Sequence, residues 1–196
     1  MRANALASFS PYPGVVNTVE LSPFTPFKST PTAESRRAMT LQMMNTSDEF
    51  DDQIIKGLIE IIAIEGPILT SRAFNLYAKK GGIAKLTPTV SKRIMAALKK
   101  ALRTKDILLE LDISSDKSIG LLWLPSMQKV IPREYGARGF SEIPASELGE
   151  VMFELADEVG QQKDQLYQKM VEVYGLGQLP KNASPRLDLV YKEYIA

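Results

Sequence analysis

The amino-acid sequence predicts a mainly α-helical protein with a small β-hairpin, an α+β fold. Three observations predict it. Apolar residues recur at helical spacing through most of the chain after residue 50, glycine and proline stand where those patterns stop, and a polar loop separates two short apolar runs. With 196 residues and 44% hydrophobic content, the chain can form one ordinary domain or two small ones.

The first 47 residues differ in composition from the rest of the chain. They are rich in Pro, Ser and Thr, and their apolar residues follow neither a helical nor a strand period. We therefore expect residues 1–47 to form a disordered or extended arm. Some of its residues are more apolar than a linker requires, so part of it can lie across the folded body or a partner.

The first folded unit begins after this arm. Isoleucine and leucine at three- and four-residue spacing predict a helix over about 50–65, which Gly66-Pro67 ends. A very short strand and a second helix over about 70–80 follow. The pair Thr87-Pro88 is a cap and first-turn signature, and it begins a third helix that runs to about Thr104.

Two strands complete the first unit. The apolar runs 107–111 and 119–124 flank a polar loop, and Pro125 closes the second run. Three short helices followed by a hairpin, with a glycine-marked turn before the last helix, is the order of a winged helix. We therefore predict a winged helix-turn-helix over residues 50–125.

The helical pattern recurs after a linker at residues 126–140. Three further helices are predicted within residues 141–196. The glycines that end the first two helices are fifteen residues apart in both units: Gly66 and Gly81 in the first, Gly160 and Gly175 in the second. This common spacing predicts a duplication, in which the second unit is a wingless, winged-helix-like repeat.

The composition excludes several kinds of chemistry. The chain has no Cys and no His, so disulfides, thiolate nucleophiles, Ser-His-Asp triads and nearly all zinc sites are excluded. No phosphate-binding glycine loop or nucleophile motif is present. Carboxylates such as Glu60, Glu65, Glu147 and Glu154 have solvent-face spacing and are predicted to be ordinary surface charge. We expect no catalysis, cofactor, metal or small-molecule substrate.

Two further patterns bear on location. The longest dense apolar stretch, residues 54–64, is interrupted by charged residues, so no membrane-spanning helix is expected. The N-terminus lacks the apolar block of a secretory signal. These patterns predict a cytoplasmic protein that neither spans nor binds a membrane.

Several short motifs resemble those of a known family. They are Ile61–Ile68 with its Glu-Gly-Pro-Ile, Tyr77–Gly82, Val90–Ile94 with its Ser-x-Arg-Ile, Leu122–Pro125 reading Leu-Trp-Leu-Pro, and Arg138–Pro144. Residues 54–196 thus resemble a bacterial domain of unknown function, tandem winged-helix-like, found at the C-terminus of superfamily-one DNA helicase and nuclease proteins. The resemblance implies an association with DNA-processing or defence machinery and supplies no catalytic residue.

Charge is unevenly distributed along the chain. The net charge is +1, yet residues 52–112 hold 11 basic and 6 acidic side chains, whereas residues 113–196 hold 9 and 12. The outer face of the third helix is nearly all cationic. A cationic helix of this kind suits the major groove of DNA, where its N-terminal side chains meet base edges and its cations neutralise phosphates.

We therefore predict that the chain binds double-stranded DNA through this helix. The residues predicted to face the groove are Thr87, Thr89, Ser91, Lys92 and Arg93. Those predicted to contact phosphates are Lys85, Lys99, Lys100, Arg103, Lys105 and Lys117. Arg72, on the preceding helix, is a further candidate for a flanking phosphate. The alternative is that these charges form only the solvated face of an amphipathic helix.

Two functions remain open at this point. The first is a non-catalytic DNA-binding protein, a regulator or the DNA-loading subunit of a DNA-processing or defence system. The second is a protein-interaction module, an adaptor or oligomerisation unit that docks on a helicase or nuclease partner or on another copy of the chain. The near-neutral total charge, the acidic second unit and the apolar arm favour the second.

Overall fold

The structure is a computed structural model that describes residues 19–113, 120–181 and 183–196. In these residues the chain forms seven α-helices, a short 3-10 helix and a three-stranded antiparallel sheet. The predicted mainly helical α+β class is confirmed. Two separate apolar cores form. The first lies within residues 39–122, which we call the first half, and the second lies within residues 140–190, the second half, to which Val19 of the N-terminal segment also contributes.

After residue 47 the first half follows the predicted order of elements, and one unpredicted helix precedes them. Its helices are α1 (Ala33–Met44), α2 (Asp48–Glu65), α3 (Thr70–Lys80) and α4 (Pro88–Thr104). Its strands are β1 (Ile68–Leu69), β2 (Leu108–Leu111) and β3 (Gly120–Trp123), arranged in the order β1-β3-β2. The predicted hairpin is confirmed by the antiparallel pairing of β2 with β3, in which Leu109 lies opposite Leu122.

Local chemistry determines where α4 begins and ends. The Thr87 hydroxyl accepts the Val90 N–H at 3.3 Å, and Pro88 occupies the first turn, where its missing N–H costs no hydrogen bond. The helix ends at Lys105, which adopts a left-handed conformation with φ 62°. Between these ends, Ile94 and Leu98 are fully buried against the other helices of the first core.

The described residues from Phe140 onward form helices joined by turns and contain no strand. They contain a 3-10 helix (Phe140–Glu142), α5 (Ala145–Val159), α6 (Lys163–Val173) and α7 (Ser184–Tyr194). The three predicted helices are thus found, with a core that includes Leu148, Leu166 and Leu187. The N-terminus of α5 is capped by a residue of the first half, because Asp112 accepts the Ala145 N–H at 2.9 Å.

The expectation of a disordered or extended arm is wrong for residues 33–44, which form α1. A capping box begins this helix: the Thr32 hydroxyl accepts the Ser35 N–H at 3.0 Å, and the Ser35 hydroxyl accepts the Thr32 N–H at 2.9 Å. Met39 and Gln42 are buried against the rest of the first half. This contact supplies the packing that an isolated short helix lacks.

Residues 19–27 are extended and lie against the predicted linker. Ser22 donates its N–H to the Pro132 carbonyl at 2.9 Å and accepts the Glu134 N–H at 2.9 Å. Phe24 is buried, and the Phe27 N–H donates to Glu65 at 2.8 Å. This stretch therefore connects the linker with the first half rather than extending into solvent.

In the part of the chain that the structure describes, no helix is both long enough and apolar enough to cross a bilayer.

Candidate nucleic-acid interface

Three cations lie along the outer face of α4. Lys92, Lys99 and Arg103 are all exposed, and their spacing of seven and four residues places them on one side of the helix. Within the described residues, none of the three forms a salt bridge. We call these three residues the α4 stripe. Sequence periodicity predicted that they face outward, and the structure places them there.

The N-terminal end of α4 carries the predicted groove residues. Lys85, Thr87 and Thr89 are exposed, whereas Ser91 is half-buried. The Thr87 hydroxyl already accepts the Val90 N–H, so its lone pairs are partly used by the helix cap. At the opposite end of the helix, Lys105 is exposed. Lys117 was also predicted to contact phosphates, and it lies outside the described residues.

Arg93 is buried, so the prediction that it would face the major groove of DNA is wrong. Its side chain is 7% exposed, its Nε donates to the carbonyl oxygens of Gln42 at 2.9 Å and Asn45 at 3.0 Å, and its guanidinium pairs with Asp51 at 2.6 Å. The C-terminal end of α1 covers it. Because the arm was not expected to contain a helix, nothing in the periodicity of α4 indicated that this flank is buried.

Lys100 lies on the same flank as Arg93, and the structure corrects its expected role as a free phosphate contact. Its Nζ is 2.8 Å from Asp52 and 3.1 Å from Asp48, at the N-terminus of α2. Hydrogen bonds to these two carboxylates raise the pKa of Lys100 above its ordinary value. Its charge is therefore offset by neighbours within the chain.

Arg72 is also buried, so the prediction that it reaches a flanking phosphate is wrong. Its guanidinium is 2.6 Å from Glu65 and 2.6 Å from Glu142. Burial by itself would lower the pKa of Arg72, but the hydrogen bonds and charges of these two carboxylates outweigh it and raise the pKa. The pair also shows that Glu65 is not a surface carboxylate.

Two further arginines surround a second buried carboxylate. Glu147 is 1% exposed and contacts Arg133 and Arg138, each at 2.8 Å. The Phe24 ring lies 4.4 Å from the Arg138 guanidinium carbon and 5.7 Å from that of Arg133. We call Glu65, Arg72, Arg133, Arg138 and Glu147 the buried ionic cluster. The prediction that Glu65 and Glu147 are surface charge is wrong.

The site contains no evident metal centre. In the described ranges, no group of three or more acidic, His or Cys side chains is arranged to hold a metal ion. The cations exposed on α4 are therefore the main chemical feature of this face. Such a face can attract an extended polyanion through many weak, screened contacts.

Comparisons with known proteins were made on the whole chain. Models of protein families, curated proteins and solved structures gave no match. The resemblance carried by the short motifs therefore stays a prediction.

Proposed function

We propose that this chain is a non-catalytic, cytoplasmic DNA-binding protein of the winged-helix type. In this proposal α4 is the recognition helix, and the β2–β3 pair is the wing. The order helix, strand, helix, helix, strand, strand from α2 to β3 supports the assignment. Its biological role would be that of a regulator or a DNA-loading subunit in a DNA-processing or defence system.

The single observation that carries this proposal is the α4 stripe. Its three cations are exposed, aligned and unpaired within the described residues. From the first to the last cation the helix rises by eleven residue steps, or about 16 Å, and the major groove is wide enough to admit a helix. Each phosphate that a cation neutralises releases counterions, so the stripe would give salt-dependent binding.

The proposal is tested by replacing the stripe as a unit. Fluorescence anisotropy with a labelled duplex of about 20 base pairs measures the binding constant K at several salt concentrations. The slope of log K against log salt is negative. We expect the triple variant Lys92→Ala, Lys99→Ala, Arg103→Ala to make this slope less steep by about 2.7, because each lost phosphate contact contributes about 0.9.

A matched control removes the same charge elsewhere. Lys56, Lys181 and Lys192 are exposed on other parts of the molecule. Their triple alanine variant should keep the slope within about 0.5 of the unmodified chain, far less than the loss expected for the stripe. If both triple variants lost equal steepness of log K against log salt, the binding would depend only on net charge and not on the α4 stripe. No binding by the unmodified chain at low salt would refute the proposal.

A second candidate function is a protein-interaction module. β2 is an edge strand of the sheet, and its Leu109 and Leu111 are 36% and 67% exposed. An edge strand with exposed apolar side chains can pair with a strand of another copy or of a helicase or nuclease partner. Light scattering on the same samples separates the candidates: a stable dimer without DNA binding favours this second function.

A further inference from the structure

The helix α1 lies against the turn that precedes α4. A Cβ atom added at Gly81 would lie 2.3 Å from Met39 Cε and 2.5 Å from Met39 Cβ. A Cβ atom at Gly82 would lie 2.7 Å from Arg36 Cγ, and Gly82 has a φ of 78°. At Gly81 the contact reaches Met39 Cβ, so a larger side chain would have to displace α1, whereas at Gly82 the side chain of Arg36 would have to move. The glycine pair therefore permits this close contact as well as ending α3.

The opposite end of α1 is held by hydrogen bonds. Arg93 donates to the carbonyl oxygens of Gln42 and Asn45, which lie at the negative end of the α1 dipole. The Tyr77 hydroxyl donates to Gln42 Oε1 at 2.6 Å. Burial raises the pKa of Tyr77 above its ordinary value, so the hydroxyl keeps the proton that it donates. With both ends held, α1 has a defined position beside α4.

This position brings another cation to the N-terminal end of α4. The side chain of Arg36 packs over Gly82 but remains exposed, and no carboxylate in the described residues pairs with it. Lys85 and Thr87 follow Gly82 closely in the chain and are also exposed. Arg36 thus adds a guanidinium to the surface formed by the turn and the start of α4.

Resting on the proposed function, we propose that Arg36 binds a DNA phosphate, so that α1 extends the DNA-binding surface across the turn before α4. In helix-turn-helix complexes the recognition helix meets base edges with its N-terminal residues, and the preceding helix crosses the backbone. The turn between them therefore lies close to phosphates. A guanidinium matches the oxygens of a phosphate with two parallel hydrogen bonds.

The geometry argues against the opposite role for α1, that of a cover over the DNA-binding surface. With α1 in place, Lys92, Lys99 and Arg103 are still exposed. The helix covers Arg93 on one flank of α4 and leaves the outer face open. DNA can therefore approach the α4 stripe while α1 is docked.

Arg37 provides a matched control for Arg36. It is the next residue of the same helix, carries the same charge and is exposed, but its side chain leaves the helix about 100° away from that of Arg36. Arg36→Ala should make the slope of log K against log salt less steep by about 0.9. It should also weaken duplex binding roughly eightfold at 0.1 M salt. Arg37→Ala should change the binding constant less than about twofold.

Equal effects of the two alanine variants, or no effect of Arg36→Ala while the stripe variant loses binding, would overturn the role of Arg36 and leave the proposed function intact. Tighter binding by Arg36→Ala would also overturn it, since α1 would then act as a cover. Failure of the unmodified chain to bind DNA would overturn both proposals.

A variant that keeps the packing guards against loss of structure. Arg36→Gln keeps the aliphatic part of the side chain over Gly82 but removes the charge. We expect it to make the salt dependence less steep by about 0.9, as Arg36→Ala does, which tests the phosphate contact even if Arg36→Ala fails to fold. A slope as steep as that of the unmodified chain would contradict the proposal. Circular dichroism verifies the helical content of every variant.

Discussion

At the scale of single residues, Glu147 shows how this chain tolerates buried charge. Both of its carboxylate oxygens accept hydrogen bonds: Oε1 from the Arg133 N–H at 3.1 Å and from Arg138 at 2.8 Å, Oε2 from Arg133 at 2.8 Å and from Arg138 at 2.9 Å. A buried carboxylate is tolerated when its lone pairs are satisfied and cations are near. Removing it would leave two guanidinium groups short of a partner.

We therefore expect Glu147→Ala to lower the free energy of unfolding by about 3–5 kcal/mol, the usual cost of breaking a buried ion pair by removing one partner. Urea denaturation followed by circular dichroism measures it. Glu154→Ala is the control, because Glu154 is exposed on the same helix and its loss should cost less than about 0.5 kcal/mol. A similar loss of unfolding free energy in the two variants would show that Glu147 does not stabilise the buried ionic cluster.

The buried charges were the part of the site that sequence reasoning missed. Polarity along a helix assigns charged residues to solvent, and this succeeded for the α4 stripe but failed for Arg93 and Glu65. Their partners lie on other elements: Arg93 donates to the Gln42 carbonyl across 51 residues. The Glu65 carboxylate accepts the Phe27 N–H across 38 residues and pairs with Arg72 on the next helix. A periodicity within one helix carries no information about such partners.

At the scale of elements, the end of α4 has opposing effects on stability and on the proposed DNA binding. Lys105 holds a left-handed conformation, which is unfavourable for a residue with a side chain and natural for glycine. The same residue is exposed and belongs to the predicted phosphate contacts. A change at this position should therefore separate the two properties.

Lys105→Gly should raise the free energy of unfolding by up to about 1 kcal/mol, since it relieves the left-handed strain at the cost of some added freedom in the unfolded chain. Lys105→Ala removes the same charge but keeps the strain, so it should not stabilise. Both variants should make the slope of log K against log salt for duplex binding less steep by up to about 0.9. Thermal melting and anisotropy measure the two effects, and a less stable glycine variant would contradict the expectation.

Most elements could be predicted because local signals agree with the tertiary packing. Thr87-Pro88 and Gly81 mark helix ends, and the apolar period of α4 matches its buried face. The helix α1 could not be predicted in this way, because its buried residues are Met39 and the polar Gln42, which form no apolar stripe. The Thr32–Ser35 capping pair was the available local signal, and it lay within a Pro- and Ser-rich stretch.

At the scale of the whole molecule, the two halves are joined by buried polar contacts. Arg133, in the predicted linker, donates to the carbonyl of Pro67 in the first half at 2.7 Å and pairs with Glu147 in the second. Asp112 caps α5 and pairs with Arg186 of α7 at 2.5 Å. Separation of the two halves would expose these charges or leave them without partners. We therefore expect the two halves to unfold together.

The single tryptophan, Trp123, lies in β3 and reports on the first half. Leu166→Ala removes a fully buried side chain from the core of the second half and should cost about 2–5 kcal/mol. If the halves unfold together, the tryptophan fluorescence midpoint in urea should fall as far as the circular dichroism midpoint. An unchanged fluorescence midpoint would show that the halves unfold independently.

The position of Phe24 against the arginines of the buried ionic cluster also has a consequence during synthesis. Its N–H donates to Glu134, 110 residues later in the chain. At ribosomal rates of about 5–20 residues per second, Phe24 leaves the peptidyl-transferase centre roughly 5–20 s before that acceptor exists. Throughout this interval an aromatic segment of the nascent chain lacks its native cover, and it is open to chaperones that bind apolar peptides.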